Sequence, residues 1–327
     1  MNQPKITIGI LSYNRLHYLR ALIASARECI RYDNLEWIVI DNQSIEPGLR
    51  EYLDGLDFVD HMIFKECTHV EAMNTIIETS SADYVLLMPE DAQFIVRGDW
   101  IQDFVELLGE YPHIGGICFD AQRNITVSRF FPEPWPVPVP WRRRYKTYTT
   151  NRGRVFHGYG STKPGIIGAG ILSFARKEVW KSLGPWKTTG AQTVKDSSAG
   201  GESEMLQRYK RMGMDIERVI TATPIAADIV TDPRGTKARI RSNRRYGAYW
   251  PPPEGDFYYH IHDQDEADRI AATCGAAAPG FEDFVKPLGF ELPLDGKGNL
   301  RKQPFVDADD PFEWVVPPGT GEGKAAS

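Results

Sequence analysis

The acidic pair Glu90-Asp91 is the first place in this sequence where residue type and position together suggest chemistry. It follows Tyr84–Met88 (YVLLM), a continuous apolar run suited to a central strand buried on both faces. Ligands of open α/β sheets bind in the crevice outside the carboxyl ends of the strands. Hard divalent cations such as Mn2+ or Mg2+ take oxygen ligands, usually one or two carboxylates together with substrate phosphates. Glu90-Asp91 could therefore hold a metal on a diphosphate, although the same dipeptide also suits a solvated turn.

Three further clusters have the same double character. Asp41-Asn42-Gln43-Ser44 ends a second apolar run, Glu36–Asp41 (EWIVID). A carboxylate there can accept a hydrogen bond from a base or a ribose, or close an Asx-turn. Ser12-Tyr13-Asn14-Arg15 ends the first run, Ile6–Leu11 (ITIGIL), just before a helical pattern. The helix N-terminus and Arg15 could serve a phosphate, or Ser12 and Asn14 could simply cap the helix. Glu202 follows Gly200-Gly201 at the start of a helical pattern. The macrodipole favours a carboxylate in that first turn and keeps it ionised, able to take a proton from a hydroxyl.

The elements that must position these residues alternate strand with helix. Leu16, Leu19, Ile23, Ala26 and Ile30 recur at spacings of three and four, an apolar helical stripe between the first two strands. The pattern then predicts a strand over Phe58–Phe64, a helix over Val70–Thr79 and the strand Tyr84–Met88. Asp99 is the expected N-cap, with Gln102 three residues on, of a helix through Trp100, Phe104 and Leu108. Strands at Ile114–Phe119 and Gly168–Phe174, a helix over Arg176–Leu183 and a helix over Glu202–Met212 follow. This alternation is the sequence form of a mostly parallel sheet covered by helices.

Read in order as ILSYNR, VIDNQS, EAMN, YVLLMPED, GAGILSFARKEVWKSLGPW and GGESEMLQRYKRMG, the chain resembles the family 2 glycosyltransferases over roughly residues 5 to 228. The resemblance implies a GT-A, Rossmann-like mixed and mostly parallel sheet flanked by helices. It also implies an inverting enzyme that uses a nucleotide-diphospho-sugar donor, an acceptor hydroxyl, and Mn2+ or Mg2+. Carried over by motif, Ser12, Tyr13, Asn14, Arg15, Asp41, Asn74 and Glu90 fall at donor-binding positions. Asp91 falls at the metal position, and Glu202 at that of the general base.

The sequence departs from the family pattern in three places. The usual Asp-x-Asp is Glu90-Asp91-Ala92, and the customary Arg-Asn pair is Met73-Asn74. Where a metal-ligating histidine is often found, this chain has Ala226-Ala227-Asp228. Asp228 could replace it, as could His260 or His262 of the segment FYYHIH.

The resemblance divides the chain into a nucleotide-sugar-binding half over 1–125 and an acceptor-binding and catalytic-base half over 166–250. Between them, 126–165 reads as a proline-rich insertion or lid, since PEPWPVPVPWRRRYK can be neither regular helix nor central strand. Trp135 and Trp141 could stack there on an acceptor. Residues 251–327 read as an appendage with a flexible tail. Gly158–Lys163 (GYGSTK) lacks the spacing of a phosphate loop.

The 327 residues are 42% hydrophobic and 25% charged, the balance of a globular protein rather than a fibrous or disordered one. A net charge of −6 argues against broad nucleic-acid binding. The basic cluster from Arg234 to Arg245 nevertheless keeps open an acceptor in nucleic acid, such as a modified base of viral DNA. A silent nucleotide-sugar-binding module is the reading from another class. Four scattered cysteines indicate neither a zinc knuckle nor a disulfide framework. Without a signal-like or membrane-spanning run, the sequence points to a cytoplasmic protein.

Overall fold

In a computed structural model, the described residues are 3–13, 16–90, 92–118, 146–160, 173–187, 205, 208–209, 211–220, 226–228 and 261–265. The first half is a run of strand-helix units: β1 Ile6–Ser12, α1 Leu16–Cys29, β2 Leu35–Asp41, α2 Leu49–Asp54, β3 His61–Phe64, α3 His69–Thr79 and β4 Tyr84–Pro89. Two short strands follow, β5 Ala92–Phe94 and β6 Val96–Arg97, then α4 Trp100–Glu110 and β7 Ile114–Cys118. Beyond them come β8 Lys146–Thr149, β9 Val155–Gly160, β10 Ser173–Arg176, α5 Lys177–Leu183, β11 Asp215–Ile220, β12 Ala226–Asp228 and β13 His262–Asp263.

Nine strands form one sheet in the order β3-β2-β1-β4-β10-β7-β11-β9-β8. β1 pairs in parallel with both β2 and β4, and β10 and β9 run against their neighbours. The sheet is thus mixed and mostly parallel, with helices on both faces. Alternation along the strands sorts the core into two clusters. Ile6, Ile8 and Ile10 of β1 join Leu86 and Met88 of β4 under α1 and α4. Leu11, Val85 and Leu87 join the other cluster, under α3 and α5. Full burial of such side chains is worth about 1.5–3 kcal/mol each. Gly9 lets α3 lie close on β1, since a Cβ there would come within 2.4 Å of Ile76.

The third strand is shorter than the predicted Phe58–Phe64. Phe58 packs edge-on against Trp37, with ring centroids 5.2 Å apart, and the Arg27 guanidinium lies over its ring. Asp60 Oδ2 accepts from Trp37 N–H at 2.8 Å, which takes a ladder amide of β2. Residues 146–160, inside the segment read as insertion or lid, are the β8-β9 hairpin at one edge of the main sheet. β9 includes the start of GYGSTK. The proline-rich stretch, the basic cluster near 240 and the tail after 265 lie outside the described residues.

α3 begins with a capping box: Thr68 Oγ1 accepts from Glu71 N–H, and Glu71 Oε2 accepts from Thr68 N–H at 2.7 Å. The expected Asp99 cap of α4 is corrected. Asp99 occupies the N-cap position, but its side chain caps nothing; instead Gln264 Oε1 accepts from Asp99 N–H at 2.9 Å. The donor thus ends on a residue of the C-terminal segment that no local pattern could supply. Among the described residues, no helix is long and apolar enough to cross a membrane.

Candidate functional site at the carboxyl ends of the parallel strands

Register brings three of the singled-out residues to one sheet edge: Ser12 pairs with Asp41, and Leu11 with Pro89, one residue before Glu90. Backbone groups lace these strand ends together. Asn42 N–H donates to Ser12 O at 2.9 Å, and Lys65 N–H donates to Asp41 O at 3.0 Å. Asn42 Oδ1 accepts from Cys67 N–H at 2.8 Å, which ties the end of β2 to the chain leaving β3.

Asp41 is buried, with 2% of its surface exposed. Its Oδ1 accepts from Ser44 N–H at 2.8 Å, and its Oδ2 accepts from the hydroxyls of Ser44 at 2.5 Å and Ser12 at 3.1 Å. The Asp41 side chain thus closes the turn through the backbone three residues on, one residue further than an Asx-turn, with a second hydroxyl added from β1. Glu90 is also buried, and its Oε2 accepts from Tyr13 N–H at 3.2 Å. A carboxylate at the end of β4 thus anchors the turn that leaves β1. At the N-terminus of α1, Glu46 Oε2 accepts from Leu16 N–H at 2.7 Å. Sequence reasoning missed Glu46, which lies beyond the strand end without a spacing that marks it.

Asp228 is the expected residue that topology relocates most usefully. β12 pairs antiparallel with β5, with Asp228 opposite Ala92, two residues after Glu90. His262 goes elsewhere. β13 pairs with β6, and the neighbouring Asp263 lies against Arg97, which in turn bonds Glu28. That is the last turn of α1, about 20 Å along a helix of 14 residues from its start at the acidic edge. Asn74 spends both halves of its amide on Trp186, accepting from its N–H at 2.8 Å and donating to its carbonyl at 3.0 Å. It fastens α3 to the chain after α5.

The same chain segment is held from the other side. Arg208 Nη1 donates to Leu183 O at 2.9 Å and to Pro185 O at 2.6 Å, satisfying carbonyls at the end of α5. Met205 and Tyr209 are buried in the cluster under α3 and α5. Gly115 admits the Tyr209 ring, since a Cβ there would stand 2.6 Å from Cε1. Asn14, Arg15, Asp91, Glu202 and His260 lie outside the described residues. Among the described residues, no three His, Cys, Asp or Glu side chains cluster closely enough to hold a metal.

Residues 7–163 match the sequence model of glycosyl transferase family 2. The matched stretch is just under half of the chain; it contains Ser12, Asp41 and Glu90-Asp91 and ends before Glu202 and Asp228. An uncharacterized protein of Sinorhizobium fredii, y4gI, is 26% identical over 124 residues, which are 36% of this chain and 13% of that protein. The mannosyltransferase PcManGT from Pyrobaculum calidifontis, solved with GDP-Man and Mn2+, overlays with a TM-score of 0.42 at 16% identity, covering 66% of this chain and 55% of that one. TarS 1-349 of S. aureus, solved with UDP, gives 0.46 at 12% identity, covering 73% and 65%. This chain therefore spans a small part of its curated relative and less than two thirds of those solved chains.

Proposed function

We propose that the chain is an inverting glycosyltransferase, moving a sugar from a nucleotide-diphospho-sugar to an acceptor hydroxyl. The observation that carries this reading is the meeting of Ser12, Asp41 and Glu90 at the carboxyl edge of three adjacent parallel strands, within the matched family domain. That edge is where open α/β sheets take their ligands. An oxygen-rich donor set suits Mn2+ or Mg2+; in support, Glu90 is a buried carboxylate after β4, and Asp228 pairs with Ala92, two residues on. Asp91, with Glu90 and Asp228, would hold the ion, which when bound neutralises charge on the departing diphosphate.

In this reading, Ser12 to Arg15 and the Asp41 turn hold the nucleotide. Glu202 takes the proton of the acceptor hydroxyl, whose oxygen then attacks the anomeric carbon as the bond to the diphosphate breaks. Asn74 acts through Trp186, steadying the chain that leads towards Glu202. The family domain and the absence of a long apolar helix among the described residues are compatible with a cytoplasmic enzyme.

The test is a donor screen with Mn2+ on the parent protein and Glu202→Gln. The parent turns over one nucleotide-diphospho-sugar. Glu202→Gln binds that donor with the parent's affinity and transfers on the order of 10²–10⁴-fold more slowly. Transfer by Glu202→Gln at the parent rate would remove Glu202 from the mechanism.

A further inference from the structure

The turn over 183–186, which closes α5, is held by side chains from two distant places in the chain. Leu183 O and Pro185 O accept from Arg208 Nη1, while Trp186 N–H and Trp186 O pair with the amide of Asn74. Asn74 lies on α3, 112 residues before Trp186, and Arg208 is helical together with Met205 and Tyr209. Between the two accepting carbonyls Gly184 takes φ of 77°, and a Cβ there would stand 3.5 Å from Arg208 Nη1. The rings around the turn repeat the arrangement. Trp186 lies 5.4 Å from Trp180 of α5, and Trp180 meets Tyr209 edge-on at 6.1 Å. So α3, α5 and the Arg208 helix all meet on one short turn.

Capping of α5 alone does not account for this joint, since a basic residue in its own last turn would serve those carbonyls. The indole N–H groups of Trp180 and Trp186 are buried without an acceptor among the described residues, which costs stability. The joint thus forgoes hydrogen bonds in its rings while it fixes the backbone from both sides. Geometry held at a cost to stability is a mark of functional positioning. What it fixes is the spacing between α3 and the Arg208 helix. α3 starts from the chain leaving β3 at the carboxyl edge, where Asn42 Oδ1 accepts from Cys67 N–H. Glu202 comes six residues before Arg208 in the sequence.

We infer that Arg208 and Asn74 are positioning residues of one clamp, which holds the turn over 183–186 and through it sets the proposed base against the donor edge. The inference rests on the donor and base roles proposed above. Its test is a double-mutant cycle in the full chain, read by steady-state transfer from the sugar donor that the parent turns over. Arg208→Ala and Asn74→Ala each lower kcat on the order of a hundredfold, the effect of a misplacement of about 1 Å, and leave the KM for the sugar donor within about twofold of the parent's. The double variant stays within about twofold of the slower single, because either substitution alone frees the turn. Since one nitrogen, Nη1, serves both carbonyls, Arg208→Lys recovers most of the rate. Should Arg208→Ala not melt cooperatively, Arg208→Gln, which keeps the stem and loses the charge, takes its place in the cycle.

Losses that multiply in the double variant mean two independent contacts and overturn the inference. A lowered melting temperature with kcat retained, the result for a plain helix cap, also overturns it, as does a raised KM with kcat retained, the result for a direct contact to the sugar donor. Failure of the base reading shows separately, as Glu202→Gln transferring at the parent rate.

Discussion

The parallel strands carry buried carboxylates at both ends, and the two ends treat them differently. At the amino end, Glu36 is 2% exposed and receives the Thr7 hydroxyl at 2.5 Å, the Ser81 hydroxyl at 2.5 Å, the Ser81 N–H and the Lys5 ammonium at 3.3 Å. Burial alone would push this carboxyl up; the hydrogen bonds from Ser81 and Thr7, with Lys5, outweigh it and hold the pKa at about 2. At the carboxyl end, Asp41 is held by two hydroxyls and one amide, with no cationic side chain among the described residues. The first arrangement is complete within the protein. In the proposed function, the second would be completed by a cation and a diphosphate.

The largest expected effect separates these ends by activity. Asp91→Asn lowers transfer on the order of a thousandfold, the loss of several kcal/mol of charge stabilisation, and leaves the melting temperature of the ligand-free protein at the parent value. Steady-state transfer assays across a Mn2+ titration check it, together with a melting curve. Transfer close to the parent rate would place the acidic turn with Glu36, as architecture.

Glu36→Gln is the converse. It should leave transfer unchanged and reduce stability by about 2 kcal/mol, because a charged acceptor of several bonds becomes a neutral one. The pH dependence carries the sign. The folded pKa of about 2 lies below the ordinary 4.5, so the carboxylate's contribution is fully present above pH 4.5 and fades as the pH falls towards 2. Urea midpoints measured at pH 7, 4.5 and 3 should show the gap between parent and variant narrowing as the acid is added. A gap that stays constant would mean that Glu36 acts through packing alone.

The contrast between the ends also explains how much the sequence discloses. Strands β1, β2 and β4 are legible because burial on both faces demands unbroken apolar runs, and a strand that must end at a ligand edge ends abruptly in polar residues. Asp228 is picked out in the sequence only by the family resemblance, and register alone shows that it lies opposite Ala92. The start of β3 is misread because Phe58 is apolar for a different reason: it covers Trp37 rather than extending the ladder. The β8-β9 hairpin is hidden by its proline-rich neighbour, despite a turn at Asn151-Arg152-Gly153 in which Gly153 takes φ of 80°. Glu46 and Gln264 are missed because each serves a helix that begins elsewhere in the chain, and periodicity reports only on a residue's own element.

Gln264 gives the smallest effect and the finest test of where stability resides. Its side chain accepts from Asp99 N–H and donates from Nε2 to Asp103 Oδ2 at 3.3 Å, so it spans the first turn of α4. Asp103 is 3% exposed, and burial raises its pKa against the pull of Arg154 at 3.3 Å, the Gln264 amide and Arg152 at 3.6 Å. Gln264→Ala removes the cap and one of these three partners together. Loss of an N-cap costs about 1 kcal/mol, which for a protein of this size lowers the melting temperature by about 2–3 °C. Transfer should be unaffected, because α4 begins near the amino ends of the strands, where Gly98 N–H bonds Cys29 O at the close of α1. A change in kcat without a change in melting temperature would mean that the C-terminal segment reaches the acidic edge, and that the two ends of the sheet are not independent.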